Sequence, residues 1–310
     1  MRRPLGWWVS DRSFVQQEVK SILSYQRDRY VETSELTFPF IDDVSGTIRG
    51  YRVFTACRTV DGKVFRLEDH LGRLFDSAAG IHMKPPLSVE RLRSLVHEIV
   101  EKNLRISGTG DLLLEIVFSG GLIGDTMKQS GKGAHLYVAV RPLVVPLPEL
   151  YENGVVLATF RFQRMCAQVK LLNYVGAIVG HQTVAPEHDA YEVLFVDPND
   201  RQTILEGSTF TVFFVDAGRE VVTPPLDGRI LDSVTRRAVL EILADGAPAR
   251  VREAPVRLDQ LSEMGECFIA STTRAVLPVR RIDETTIGDG RPGPVTGSIM
   301  RAFDDYIANY

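Results

Sequence analysis

From residue 154 onward the chain repeats one local pattern of short apolar runs, rich in β-branched and aromatic residues and each ended by a turn. Such runs, bounded by Gly, Pro, Asn or Asp, are typical of β-strands. Many adjacent short strands with few helices favour a sheet that is closed or nearly closed. The runs are GVVLATFR (154–161), YEVLFVD (191–197), QTILEG (202–207), FTVFFVD (210–216), REVVTPP (219–225), ECFIAS (266–271) and AVLPVRRI (275–282).

The first half of the chain mixes strands with helices. YRVFTACRTV (51–60) has strand composition, and Asp61-Gly62 behind it predicts a tight hairpin turn. Apolar residues in 68–81 recur at helical spacing, and a second helix is predicted over about Val89–Asn103. DLLLEIVF (111–118) and HLYVAVR (135–141) read as strands. We therefore predict a small N-terminal α/β sandwich-like domain with an antiparallel sheet.

A chain of 310 residues is long for one core, which favours two domains. VVPLPEL (144–150) contains two prolines and no periodicity, as an interdomain linker does. The predicted organisation is α+β: a small domain over 1–143, a linker over 144–153 and a large domain over 154–310. The larger domain is expected to be built on the closed or nearly closed β-sheet with helices.

The net charge of −4 gives no reason to expect nucleic acid or a membrane surface as partner. No apolar run reaches the roughly 20 residues that span a bilayer. Cys57, Cys166 and Cys267 are scattered without a CxxC pattern, so neither disulfides nor a metal site is expected. Cys166 and Cys267 lie in apolar contexts and are interpreted as inert core thiols, with a cysteine nucleophile as the alternative. The reducing cytoplasm is the simplest location.

One lysine, Lys170, stands inside the apolar stretch CAQVKLLNYVGAIVG (166–180). Lysine is costly to bury unless it is paired, deprotonated or used covalently. A desolvated amine with a lowered pKa is also the nucleophile that forms Schiff bases with carbonyl compounds, including pyridoxal phosphate. The alternative is that the side chain reaches the surface at the end of an element.

Two other features offer chemistry that fits an anionic heterocycle. A helix is predicted over GRILDSVTRRAVLEILADG (228–246), ended by Gly246 and with a buried face made by Val234, Ala238, Val239, Ile242 and Leu243. Its start at Asp232–Arg237 supplies free backbone N–H groups, and Thr235 adds a hydroxyl. Asp232 or Ser233 capping this helix, with no ligand, is the alternative. Glu206, at the end of an apolar strand, is placed to hold a protonated heterocyclic nitrogen. It is otherwise a strand-end acid facing water.

Two further features are less specific. STTRAVLPV (271–279) places small hydroxyl residues between two strands, where they line a phosphate or substrate pocket or simply form a turn. The planar guanidinium group of Arg73, with its several N–H donors, suits a phosphate or carboxylate. An arginine exposed at the surface is the commoner outcome.

The order of these features along the chain carries more information than any one of them. Six motifs lie between Tyr51 and Phe303, and together they resemble the fold-type IV pyridoxal-phosphate enzymes, the class IV aminotransferase family. That family includes branched-chain and D-amino-acid aminotransferases, (R)-selective amine transaminases and aminodeoxychorismate lyases. The lysine, STT…PV and GPVT blocks look closest to the D-amino-acid aminotransferase branch. The motifs are HLGRL around Arg73, VKLLNY around Lys170, LEGSTFTVF from Leu205, RILDSVTR from Arg229, ASTTRAVLPV from Ala270 and GRPGPVT ending at Thr296.

The resemblance implies a role for each matching residue. Lys170 carries the Schiff base with pyridoxal 5′-phosphate and moves a proton between the substrate α-carbon and the cofactor. Glu206 pairs with the pyridine nitrogen, and Leu231 lies against one face of the ring. The residues implied in phosphate binding are Arg73, Val234 and Thr235 through backbone N–H groups, the Thr235 hydroxyl, and Thr272.

The chain also departs from the family pattern. Thr211 stands where members commonly carry Asn, and Ser233 where they carry Gly; neither change removes a needed charge or N–H group. The segment matching the Arg-x-His carboxylate trap of D-amino-acid aminotransferases, 119–130, contains neither arginine nor histidine. Substrate recognition must therefore use other residues. The candidates are Phe54 (where a tyrosine is expected), Arg58, Lys128, Thr273 and Arg274, and Arg58 matches a position that is often arginine in the family.

The leading prediction is an aminotransferase that moves an amino group from an amino acid or amine to a 2-oxo acid by a ping-pong mechanism. A lyase of the aminodeoxychorismate type is the first alternative, because FTACRTVDGKV (54–64) also resembles that branch. A non-catalytic relative that only binds cofactor or partner is the second. The resemblance further implies a homodimer with active sites at the interface.

Overall fold

The computed structural model describes residues 22–107, 110–123, 128–129, 133–244 and 249–310. The strands are β1 (Leu23–Gln26), β2 (Arg29–Glu32), β3 (Arg52–Val60), β4 (Lys63–Val64), β5 (Leu112–Ser119), β6 (Leu122–Ile123), β7 (Lys128–Gln129), β8 (His135–Pro142), β9 (Val155–Arg161), β10 (Glu192–Val196), β11 (Ile204–Gly207), β12 (Thr211–Val215), β13 (Val221–Thr223), β14 (Val251–Glu253), β15 (Glu266–Ser271), β16 (Ala275–Ile282) and β17 (Thr285–Thr286). The α-helices are α1 (Val44–Thr47), α2 (Leu67–Gly80), α3 (Val89–Ser107), α4 (Pro148–Asn153), α5 (Val175–Thr183), α6 (Val234–Ala244) and α7 (Pro294–Ala308).

The chain separates into two compact units. The first contains an antiparallel sheet with the strand order β2-β1-β8-β5-β3-β4. Its hairpin between β3 and β4 turns at Asp61 (φ 47°) and Gly62 (φ 80°), so the predicted turn is confirmed. Positive φ at both central residues matches the right-handed twist of the flanking strands. In the same unit, Asn103 on α3 bonds both backbone groups of Leu23.

The second unit is built on a mixed sheet with the order β11-β10-β9-β16-β15-β12-β13-β14, and β17 pairs with β16. β9 runs parallel to both of its neighbours, β10 and β16, whereas β15 runs antiparallel to both β12 and β16. One face of this sheet packs a continuous apolar cluster that includes Leu157, Phe214 and Ile269. The predicted α+β class with a sheet-rich second half is confirmed.

The division into units differs from the predicted boundaries at two places. Phe65–His82, which contains α2, clusters with the second unit although the sequence pattern assigned it to the domain over 1–143. The predicted linker over 144–153 ends in α4, whose Tyr151 hydroxyl donates to the Arg274 carbonyl oxygen at 2.9 Å. Proline at the first position of α4 starts this helix, because its missing N–H group has no partner to lose there.

The apolar stretch around Lys170 is not a strand. Its second half forms α5, on which Val175 and Ile178 are 66% and 57% exposed. Some of its apolar residues therefore face the core and others face the solvent. Composition alone does not tell which residues are buried. Among the described residues, no helix combines the length and the apolar character needed to cross a membrane.

The predicted helix after Gly228 is α6, and its predicted inner face is buried. The apolar positions recur every three or four residues, which places them on one side of an α-helix. Gly246, predicted to end this helix, lies outside the described residues. The buried positions are Val234, Ala238, Val239, Ile242 and Leu243.

The start of α7 is capped from a distant strand. The Glu266 carboxylate on β15 accepts the N–H groups of Val295 (3.0 Å) and Thr296 (2.6 Å), both in the first turn. A Cβ atom on Gly293 would lie 2.1 Å from Glu266 Cδ, so this approach requires glycine. A buried carboxylate thus replaces the usual N-cap side chain.

Glu266→Ala should lower the free energy of unfolding by about 1–3 kcal/mol, because two buried N–H groups lose their acceptor. Urea denaturation of the variant and the wild type measures the difference. Glu263→Ala, the same change at an exposed position nearby, should shift stability by less than about 0.5 kcal/mol. Equal unfolding midpoints for Glu266→Ala and the wild type would contradict this capping role.

Candidate active site

Lys170 follows the turn at 165–168 and precedes α5. Its Nζ donates to the Tyr174 hydroxyl at 3.2 Å. Its backbone N–H donates to the buried Ser77 hydroxyl on α2 at 3.1 Å. A Cβ atom on Gly80 would lie 2.8 Å from Val169 Cγ2, which shows how closely α2 approaches this segment. Both the backbone and the amine of Lys170 are therefore fixed by neighbours within the second unit.

The electrostatic surroundings of Lys170 favour the neutral amine. Burial and the positive charges of Arg73 and Arg164 lower its pKa to about 7, while the negative charge of Glu206 opposes this shift. Desolvation and like charges both penalise an ammonium group. A large share of the side chain is therefore a free amine near neutral pH, the form that attacks a carbonyl carbon.

Glu206 on β11 does not face water. Its side chain is 9% exposed, and Arg164 Nε and Nη2 reach Oε1 at 2.8 and 2.6 Å. The Leu231 N–H donates to Oε2 at 3.1 Å. Arg164 also donates to the carbonyl oxygens of Ala167 (2.7 Å) and Val169 (3.3 Å), directly before Lys170. One arginine therefore joins the carboxylate to the lysine segment.

The segment that follows Leu231 leads into α6. Ser233 acts as the cap, since its hydroxyl accepts the Arg236 N–H at 3.4 Å. The Asp232 carboxylate instead pairs with Arg237 at 2.6 Å. Val234 and Thr235 occupy the first turn and are buried, so the predicted anion-binding helix start lies next to Leu231 and its bond to Glu206.

Helix α2 carries charged and polar residues that face the lysine segment. Arg73 and Ser77 lie one turn apart on the same face, and both are buried. His70 is buried one turn before them. Burial and the charges of Arg73, Arg66 and Lys170 lower the pKa of His70 well below its ordinary value, which keeps the ring neutral.

Thr272 and Thr273 lie in the turn between β15 and β16 and are half-buried. Ser271, just before them, is buried, and its hydroxyl has no hydrogen-bond partner among the described residues. Buried hydroxyl groups are normally satisfied by a partner. An unsatisfied hydroxyl beside two threonines fits a ligand-binding turn.

The other residues predicted to bind substrate are Arg274, Arg58, Phe54 and Lys128. Arg274 pairs with Glu192 at 2.6 Å, and Arg58 on β3 pairs with Asp111 at 3.4 Å. Phe54 is buried on β3 in the first unit. Lys128 lies in β7, and its side chain falls outside the described part of the chain. The two arginines thus have carboxylate partners within their own units.

Sequence reasoning missed the roles of Arg164, Tyr174 and Ser77. Tyr174 is part of the motif around Lys170, so its position relative to the lysine was visible in the sequence. Arg164 and Ser77 gave no such signal, because a single arginine before a turn and a serine within a helix are common on surfaces. The prediction that Cys166 is a core thiol is wrong, since Cys166 is exposed; Cys57 and Cys267 are buried.

The fold of this chain is similar to that of solved aminotransferase structures. The structure of Escherichia coli branched-chain amino acid aminotransferase has a TM-score of 0.82 at 23% identity, covering 93% of this chain and 95% of that one. A T.th. branched-chain amino acid aminotransferase with pyridoxamine 5′-phosphate has a TM-score of 0.81 at 25% identity, covering 94% and 95%. The fold is therefore that of the fold-type IV aminotransferases.

Residues 52–282 match the model of the amino-transferase class IV family, so the chain belongs to that family and is an enzyme of this class. A D-alanine aminotransferase of Bacillus licheniformis is 30% identical over 90% of this chain and 95% of its own length. A putative branched-chain-amino-acid aminotransferase of Methanocaldococcus jannaschii is 28% identical over 91% and 95%. The resemblance stated from the sequence motifs is confirmed.

Lys170→Met should stabilise the cofactor-free protein most at low pH. Folding lowers the pKa of Lys170 from 10.5 to about 7, so between these values the unfolded state binds more protons than the folded state. The cost of burying the amine is therefore greatest below about pH 7 and disappears above about pH 10. Urea midpoints of variant and wild type should differ most near pH ~6 and converge toward pH ~10.

Lys63→Met, at an exposed position of the first unit, is the matched control. The difference in urea midpoint between Lys63→Met and the wild type should not change over this pH range. A difference between Lys170→Met and the wild type that stays constant with pH would contradict the lowered pKa of Lys170.

Proposed function

We propose that this enzyme is a pyridoxal 5′-phosphate-dependent aminotransferase that uses a Schiff base on Lys170. In this proposal it transfers an amino group from an amino acid or amine to a 2-oxo acid in two half-reactions of a ping-pong cycle. The observation that carries the proposal is the Lys170 amine, whose pKa is lowered to about 7 beside Arg73, Arg164 and Glu206. The family match and the fold support it.

The residues present fit the cofactor. Pyridoxal phosphate supplies, when bound, an aldehyde for an amine and a protonated ring that accepts electrons from the substrate carbon. The chain offers a neutral amine at Lys170 and a carboxylate at Glu206. It also offers the buried cation Arg73 and the start of α6 for a phosphate. The unsatisfied Ser271 hydroxyl lies directly before Thr272, the predicted phosphate ligand.

In the proposed cycle Lys170 acts as nucleophile and as general acid–base. With the cofactor bound, its neutral amine would take the proton of the substrate α-carbon, and the resulting ammonium group would then be the acid that gives this proton back. A group with a pKa near neutrality exchanges protons in both directions at little cost. Tyr174, 3.2 Å from Nζ, orients the amine. Ser77 holds the backbone N–H group of Lys170.

Glu206 would keep the ring nitrogen protonated. A carboxylate beside a heterocyclic nitrogen favours the charged pyridinium, the form that withdraws electrons. The Arg164 bonds to Oε1 and the Leu231 bond to Oε2 fix the orientation of this carboxylate before any ligand binds. Leu231 would then cover one face of the ring.

The proposal includes a cytoplasmic homodimer, which the family resemblance implies. A groove of about 430 Å³ in the second unit is lined by Phe160, Phe162, Met165, Val175 and Val179 among others. Met165 and Val175 are each about two-thirds exposed, and a second copy would cover such a surface. Light scattering coupled to size-exclusion chromatography tests the assembly, and a monomer at micromolar concentration would contradict it.

The donor and acceptor are best identified by screening half-reactions. The purified enzyme with pyridoxal phosphate is mixed with L-amino acids, D-amino acids and primary amines, and the near-visible absorbance is followed. Conversion to the pyridoxamine band with release of a 2-oxo acid or carbonyl product is expected for at least one class. Pyruvate release from aminodeoxychorismate without any amino acceptor would instead indicate the lyase reaction.

Lys170→Ala should abolish both half-reactions, reducing kcat at least about a thousandfold, because the chain then lacks its nucleophile and proton carrier. Lys102→Ala, at a surface position of α3, should retain wild-type kcat. Circular dichroism of both variants checks that they are folded. Normal turnover by Lys170→Ala would show that another group performs these steps.

Glu206→Gln should retain bound pyridoxal phosphate but lower kcat by about ten- to a hundredfold, because a neutral pyridine is a poorer electron sink. Stopped-flow rates of the first half-reaction measure this effect. Glu284→Gln, whose side chain is 80% exposed, should leave the rate unchanged. An unaltered rate in Glu206→Gln would remove this carboxylate from the proposed mechanism.

A further inference from the structure

Glu192, at the start of β10, is a buried acid that none of the proposed steps uses. Its side chain is 6% exposed, and its carboxylate is bonded by three segments of the second unit. The contacts are His181 Nε2 at 3.0 Å, Ser208 Oγ at 2.5 Å, Thr209 Oγ1 at 3.4 Å and Arg274 Nη2 at 2.6 Å, besides the neighbouring Val193 N–H at 3.2 Å. A buried carboxylate with several donors is held in one orientation, because the loss of any donor leaves charge unsatisfied.

Arg274 is held as firmly as Glu192. Besides Glu192, its guanidinium donates to the hydroxyls of Thr209 (2.7 Å) and Tyr191 (3.1 Å). Its carbonyl oxygen accepts the Tyr151 hydroxyl of α4 at 2.9 Å. All three guanidinium nitrogens are therefore bonded within the second unit. Arg274 is a poor candidate for the substrate-carboxylate ligand predicted from the sequence, because capturing a substrate would break its pair with Glu192.

The segments that Glu192 and Arg274 join are continuous with the candidate active site. Ser208 and Thr209 follow Glu206 after a single residue, Gly207. That glycine allows the tight turn, since a Cβ atom there would lie 2.0 Å from Phe210 Cζ. Arg274 comes two residues after Thr272. A shift of the Glu192 carboxylate would thus be transmitted to Glu206 and to Thr272 through one or two residues of backbone.

The Glu192 carboxylate stays charged at neutral pH. Burial alone raises its pKa. The hydrogen bond from His181, the charge of Arg274 and the hydrogen bond from Ser208 outweigh burial and leave the pKa below the ordinary value. The charged form accepts hydrogen bonds from all of these donors at once, which a neutral amide cannot do.

We propose that Glu192 is a positioning residue. Its hydrogen bonds hold the turn at 208–209 against the hairpin at 271–274, and so fix Glu206 and Thr272 for cofactor binding. This role rests on the proposed function, because it assumes that Glu206 and Thr272 bind the cofactor. Glu192 itself contacts neither substrate nor cofactor in this proposal.

Glu192→Gln tests the proposal, because glutamine keeps the shape but loses the charge and one acceptor atom. Titration of the cofactor-free chain with pyridoxal phosphate should show an affinity about tenfold weaker than wild type. Hydrogen exchange of the cofactor-free chain should be faster at the amides of 207–210 and 271–275 but unchanged in α7. Glu263→Gln, at an exposed position, should alter neither measurement.

Arg274→Gln and the double variant measure the coupling. If Glu192 and Arg274 act as one unit, each single change and the double change should weaken pyridoxal phosphate binding by about the same tenfold factor. Independent effects would instead multiply to about a hundredfold. Should Glu192→Gln fail to fold, Thr209→Val gives a milder change. It removes only the hydroxyl that lies 2.7 Å from Arg274, and it should produce the same local pattern of faster exchange.

Three results would overturn the proposal: unchanged cofactor affinity in Glu192→Gln, multiplicative effects in the double variant, or exchange that rises equally throughout the second unit. The last result would show a general stabilising role. Failure of the wild type to bind pyridoxal phosphate would refute the proposed function alone. The hydrogen exchange of the cofactor-free chain would still test whether Glu192 holds the segments 208–209 and 271–274 together.

Discussion

The arrangement of the candidate site depends on one balance of charge, in which a lysine amine is buried beside two arginines and a carboxylate. Arg73 and Arg164 disfavour the ammonium form of Lys170, and Glu206 restores part of its stability. Because Glu206 also pairs with Arg164 at 2.6 Å, the positive charge of that arginine offsets part of the stabilisation that the carboxylate gives to an ammonium group. The result is an amine whose pKa lies close to neutrality, where nucleophilic attack and proton transfer are both accessible.

This balance requires rigid supports, and the second unit provides them from distant parts of the chain. Ser77 on α2 holds the backbone of Lys170 across 93 residues of sequence, and Arg164 bonds the carbonyl oxygens just before the lysine. Helix α2 also carries Arg73, so one helix positions this buried cation and the lysine backbone together. Hydrogen bonds to backbone groups fix a segment more firmly than side-chain packing alone, because their geometry is directional.

The arginines show how tertiary contacts assign roles that composition leaves open. Arg58 and Arg274 were both plausible ligands for a substrate carboxylate, yet each has an acid of its own unit as partner, Asp111 and Glu192. Nothing in the sequence singled out Arg164, yet it bonds Glu206 and the carbonyl oxygens before Lys170. A guanidinium bonds whichever carboxylate the fold brings near, and the acid that decides the outcome lies 53 residues away for Arg58, 82 for Arg274 and 42 for Arg164.

The sequence by itself determined the strands of the second half, the hairpin at Asp61-Gly62, the helix α6 and the family to which the chain belongs. These depend on local periodicity, on turn residues and on an ordered set of motifs, all readable along the chain. Only the tertiary structure decided that Phe65–His82 joins the second unit, that the second half of the lysine stretch forms the partly exposed helix α5, and which acid each arginine pairs with. Those outcomes follow from contacts between residues far apart in sequence, and no local pattern records such contacts.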